Sequence, residues 1–143
     1  MLNWESIRGF HGHLGPWLVM GMKIGWAALE ALKARPHFGV EVTVWCPDAP
    51  PPSCMVDGLQ WSTGATYGKR NIVLEPSDAF RVQVRNKDTD EMIVAVLQRE
   101  TPGKIKDWFD ALGDEASSQK VWNTPDDDLF TLSPVQAERL RVP

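Results

Sequence analysis

The chain has 143 residues, 43% of them hydrophobic and 24% charged, enough for one domain that buries a core without cross-links. A net charge of −4 at pH 7 sets up no basic field, which argues against nucleic acid and anionic membrane as partners. The two cysteines, Cys46 and Cys54, exclude a disulfide framework and any four-cysteine zinc finger.

No basic, apolar and small-residue succession of the secretory kind opens the sequence, so a cytoplasmic location is the expectation. Gly15-Pro16 begins an apolar run to about Leu32, which reads as a long helix with proline in its first turn, where a missing N–H costs nothing. Lys23 and Glu30 make that helix amphipathic and not membrane-spanning. Gly21 and Gly25 lower its helix propensity and share one face, so another element is expected to approach there, either the sheet or a second copy of the chain. Residues 40–45 (VEVTVW) alternate at period two and predict a strand. The proline-rich stretch PDAPPP, 47–52, cannot pair in a sheet and predicts a loop. Ser53 is then expected to cap a short helix from Cys54 to about Thr63. After the glycine-bearing loop 63–71, two strands are expected near 79–85 and 92–98, joined by a hairpin at NKDTD, 86–90. Proline-started helices are expected over 102–112 and 134–140. The sum is a single α+β domain over 1–143: a long N-terminal helix on a small, mainly antiparallel sheet, with more helices at the C-terminus.

The segment FHGHLGPW holds two of the three histidines, His11 and His13. In an extended segment both rings fall on one side, which suits two ligands of one metal ion. Satisfied histidines at the approach to a helix are the competing explanation. Cys54, at the first turn of its helix, adds a thiolate that the positive helix end favours. Cys46 continues the face of Val40, Val42 and Val44 and reads as a core residue. His11, His13 and Cys54 thus form a mixed nitrogen and sulfur set with one position open, suited to zinc or another divalent transition metal. Asp57 follows Cys54 by one helical turn. It is a candidate to orient a histidine or to act as the catalytic acid or base, or else a carboxylate favoured by the helix end. TGATYGKRN fails the phosphate-loop pattern, because only three residues separate its glycines and arginine follows the lysine. Thr63, Thr66, Lys69 and Arg70 remain candidates to bind an anionic group, against the alternative of a solvated turn. Asp126 to Asp128 reads as a solvated charge run and His37 as a surface turn residue.

FHGHLGP and CMVDGLQWSTGATYGK together resemble the E-subunit family of formylmethanofuran dehydrogenase. They follow its F-H-G-H-x-x-P and C-x-x-D-G-x-Q-x-x-T-G-x-T-x-G-K patterns within residues 7–100. The resemblance implies an α+β core that forms homodimers, with a metal site, usually zinc, at the positions of His11, His13 and Cys54. It places Asp57, Gln60, Thr63, Thr66 and Lys69 on motif positions. Many members have a cysteine where this chain has Gly15. Many also carry a cysteine-rich zinc finger after the core, whereas the only cysteines here are Cys46 and Cys54. Two functions follow as expectations. One is a module that binds a metal and a small anionic ligand or cofactor, accessory to a molybdenum or tungsten enzyme. The other is a small enzyme using zinc to polarise a carbonyl or activate water. The seven tryptophans also point to a homodimer, since tryptophan is enriched in buried contact patches.

Overall fold

The alternation at residues 40–46 is realised as strand β1, Val40–Cys46, an interior strand of a five-stranded sheet. The computed structural model describes residues 2–135. The other strands are β2 (Ile72–Pro76), β3 (Arg81–Asn86), β4 (Met92–Leu97) and β5 (Phe130–Val135), in the order β2-β1-β3-β4-β5. β1 pairs with β2 in parallel, and every other neighbouring pair is antiparallel. The register aligns Val42 with Ile72 and Val84, Val82 with Ala95, and Leu97 with Phe130, so one face of the sheet is continuously apolar and buried. The opposite face is polar: Arg85 bridges to Glu41, and the Arg81 guanidinium lies 4.6 Å from the Trp45 ring centre.

Among the described residues, four helices complete the domain: α1 (Trp4–His11), α2 (Pro16–Leu32), α3 (Met55–Thr63) and α4 (Thr101–Asn123). α2 is the centre of the helical layer and is buried along most of its length, from Pro16 to Gly25 without a break. It packs on α3, on α4 and on β4. At the α2–α3 crossing the backbones nearly touch. A Cβ on Gly21 would overlap the Met55 carbonyl oxygen, and one on Gly58 would overlap that of Leu18. The glycine face of α2 is therefore used inside the chain, against α3, and not against the sheet or a second copy. The buried Lys23 ties α2 to the end of α4 by donating to the carbonyls of Val121, Trp122 and Thr124, and it forms an ion pair with Asp126 at 3.2 Å.

The α+β class holds, with several differences in detail. The long helix is the second element, because α1 precedes it. Asn3 caps α1 by accepting from the Ser6 N–H, and Gly12 closes it. Ser53 is not an N-cap: it lies inside a 3-10 turn, Pro52–Cys54, and α3 begins at Met55 with no side-chain cap. β2 is an added strand that pairs with the distant β1. α4 outruns the expected 102–112 helix, continuing to Asn123 through a break at Gly113 (φ 80°, ψ −177°). The expected helix at 134–140 is overturned where it is described. Pro134 and Val135 are in β5, at the sheet edge where proline's missing N–H is harmless, and 136–140 lie outside the described residues. Asp126 is held by Lys23 and is not part of a freely solvated run. Among the described residues, no helix is long and apolar enough to cross a membrane.

Candidate metal centre and its cavity

α1 ends at His11, Gly12 turns the chain, and the extended Gly15 hands it to Pro16 at the start of α2. Both motif histidines are thus fixed between two helices. The side chain of His11 is only 8% exposed, and its Nδ1 lies 2.6 Å from Oδ2 of Asp57 on α3. Nδ1–H donates to the carboxylate, which leaves the Nε2 lone pair free. His13 Nδ1 lies 2.8 Å from the Leu14 carbonyl oxygen, which can only accept. That contact requires the proton on Nδ1 and again leaves the Nε2 lone pair free. The two rings sit 4.9 Å apart between centroids. Asp114 on α4 stands 3.4 Å from His13 Nδ1 as a second carboxylate neighbour.

Cys54 is half-buried, immediately ahead of α3. Burial first, and then the charge of Asp57, pushes its thiol up. Desolvation and the neighbouring carboxylate thus act against the thiolate that the helix end favours. A bound cation would reverse that balance, because thiolate ligands are held deprotonated by their metal. Cys46 is fully buried, and burial together with Asp48 raises its thiol to about 11.

His11, His13 and Cys54 line one cavity of about 520 Å³, bounded also by Pro16 and Trp17 at the start of α2. The wall away from the histidines is apolar. Phe80 stacks on Trp17 with centroids 5.1 Å apart and rings 17° from parallel. Pro50, Pro51 and Pro52 form one side, and Pro102, Ile105 and Phe109 present one face of α4 as the other. Sequence reasoning missed this wall, because Ile105 and Phe109 carry the spacing of an ordinary core-facing helix.

Thr63, Thr66, Lys69 and Arg70 do not line the cavity. The Thr63 hydroxyl donates to the Leu59 carbonyl at 2.6 Å and accepts from the Ala65 N–H. Thr66 Oγ1 receives both the backbone N–H and the ammonium of Lys69. Lys69 lies over Phe38 and Arg70 over Tyr67. Gln60 accepts from the Tyr67 N–H, and Asn71 from that of Thr66. The polar residues of TGATYGKRN hold the turn together.

Residues 10–131 match the family described as FmdE, Molybdenum formylmethanofuran dehydrogenase operon. The chain belongs to the FmdE family. No curated protein matches it. Among solved structures it is similar to a tungsten formylmethanofuran dehydrogenase FmdE-like protein from Syntrophus aciditrophicus. The two are 24% identical with a TM-score of 0.63, over 96% of this chain and 73% of that one. At that identity the likeness shows a shared fold. For a metal in this FmdE chain, the two histidines fit by donor chemistry, each Nδ1 being committed and each Nε2 free. The convergence is incomplete: among the described residues, no three His, Cys, Asp or Glu side chains stand close enough together to hold an ion.

Proposed function

We propose that this FmdE-family chain is a metal-binding module that holds zinc, or another divalent transition metal, through Nε2 of His11, Nε2 of His13 and Sγ of Cys54. In this reading it serves as an accessory to a molybdenum or tungsten formylmethanofuran dehydrogenase, as a homodimer in the cytoplasm with neither nucleic acid nor membrane as partner. The observation that carries it is the pair of fixed tautomers: Asp57 and the Leu14 carbonyl each take an Nδ1–H, so both imidazoles offer Nε2 at the edge of one cavity that Cys54 also lines. Gly15 contributes no side chain, so a small anionic group is the natural fourth ligand and would offset the cation's charge.

A second reading, a small metal-dependent enzyme, is favoured by Asp57. Its side chain is 39% exposed and hydrogen-bonded to the buried His11, which puts a solvent-accessible carboxylate in contact with one of the site's imidazoles. Zinc, when bound, would supply Lewis acidity there.

Elemental analysis of the purified protein tests the metal assignment. One metal per chain is expected, lost in His11→Ala, His13→Ala and Cys54→Ser and kept in Cys46→Ser. Full occupancy in the first three variants would remove these residues as ligands.

A further inference from the structure

The cavity beside the histidines is too large and too apolar for a lone inorganic anion. Its volume, about 520 Å³, lies in the range of sites for organic molecules of cofactor size. Its polar groups are confined to the histidine–cysteine end and the rim. At the rim, Lys106 is neutralised by Asp110 at 2.7 Å, and Asp114 adds another carboxylate. Among the described residues no unpaired lysine or arginine lines it, so a polyanion finds no partner. Pro50, Pro51 and Pro52 have no N–H to donate, and Trp17, Phe80 and Phe109 offer ring surface. A polar group set against that wall would lose its water without replacement. Phe109 remains 41% exposed in the free chain, apolar surface that an occupant would cover.

We infer that the cavity binds a flat, largely apolar organic molecule, aromatic or heteroaromatic, whose small ligating head lies at His11, His13 and Cys54. The head rests on the metal reading above, whereas the apolar body rests on the wall alone. The ring lies against Phe109, Phe80 and the prolines. Its specificity comes from shape, since the wall makes no directed hydrogen bond.

Calorimetric titration separates the two parts. On the zinc-loaded chain, 2-naphthohydroxamic acid is expected to bind on the order of 100-fold tighter than acetohydroxamic acid, which has the same head without the ring. Naphthalene-2-methanol, which lacks the chelating head, is expected to bind the metal-free and zinc-loaded chains alike. Phe109→Glu, at a partly exposed position that tolerates change, should abolish the naphthyl advantage and leave zinc content intact. Val96→Glu, on the exposed sheet face, should leave it unaltered. If zinc is not retained but naphthalene-2-methanol binds and Phe109→Glu abolishes it, the metal reading fails and the apolar site stands. If zinc is retained and the two hydroxamates bind equally, the apolar site is overturned and the metal reading stands. Failure of naphthalene-2-methanol to bind either form also overturns it. So does a Phe109→Glu variant that changes the protein's oligomeric mass and not its naphthyl affinity, which would make this face a contact between copies.

Discussion

His11 is held by a single short contact with Asp57, and that contact makes a residue-scale prediction. Asp57→Asn keeps an oxygen that can accept from Nδ1 but removes its charge. It also removes a negative neighbour of Cys54, which by itself would ease thiolate formation. The first effect should dominate. Asp57 is only the second cause of the raised thiol, whereas among the described residues it is the sole side-chain hydrogen-bond partner of the His11 ring. Zinc affinity, measured against a chromophoric chelator, is expected to fall about 10–100-fold, and an unchanged affinity would show that Asp57 does not position the ligand. The raised thiol also sets a pH dependence. Below its pKa, Cys54 must release a proton to bind metal, so zinc affinity should rise with pH between 7 and 8, by up to about tenfold per unit from this one proton. Cys54→Ser should remove that component. That His11, His13, Cys54 and Asp57 lie near one another was legible in their chemistry and spacing, although satisfied histidines and a helix-start carboxylate fit the same residues. The part played by Thr66 and Lys69 was not legible, since a hydroxyl and an ammonium in a glycine loop serve equally to grip a ligand or to close the turn on itself. Only the observed contacts decide between these.

At the scale of elements, the α2–α3 crossing is the tightest joint and the one that positions Asp57 under His11. Gly21→Ala would drive a methyl into the Met55 carbonyl, a backbone atom that cannot rotate away. Overpacking of this kind costs about 1–3 kcal/mol, expected as a lowered calorimetric transition. Gly9→Ala, in open space on α1, is the matched control and should be neutral or stabilising by up to about 1 kcal/mol. Equal behaviour of the two variants would mean that the crossing is slack. The glycine spacing of α2 showed in the sequence that something came close, but not what, because α3 reaches it only through the tertiary fold. Local signals sufficed for α2, with Pro16 at its start, and for β1, with its clean alternation. They failed for β2 and β5. IVLEP is short and owes its strand identity to pairing with β1, some thirty residues away. Pro134 reads as a helix start in isolation, yet its missing N–H is equally suited to an edge strand. α1 did announce itself through Asn3 and Gly12, a cap at each end of eight residues, and those two signals would have found it.

At the scale of the whole molecule, two of the sequence's arguments for a homodimer are spent inside the chain. The glycines face α3, and the tryptophans have internal partners: Trp4 and Trp26 meet Trp122 edge-on, Trp17 stacks on Phe80, Trp61 packs on Phe10, and Trp45 and Trp108 lie under Arg81 and Lys120. What favours self-association on the surface is a different set of residues. Phe38 is 64% exposed and Tyr67 73%; Lys69 lies over the Phe38 ring and bonds to Thr66, the residue next to Tyr67 in the chain. Exposed aromatic rings of this size are of the residue types enriched in protein contact surfaces. The turn that carries Tyr67 does not line the cavity, so an interface would also give its tight internal bonding a purpose: a pre-formed patch loses little freedom on docking. Light scattering is therefore expected to give about twice the 16.0 kDa chain mass. The double variant Phe38→Asp, Tyr67→Asp should return it to the single-chain value with zinc content unchanged, because neither residue lines the cavity. A wild-type mass near 16.0 kDa across a wide concentration range would rule out the dimer. A dimer that survives the double variant would place its interface elsewhere. The next surface to disrupt is then the outer edge of β2, which pairs with no other strand among the described residues and where Val73 is 48% exposed.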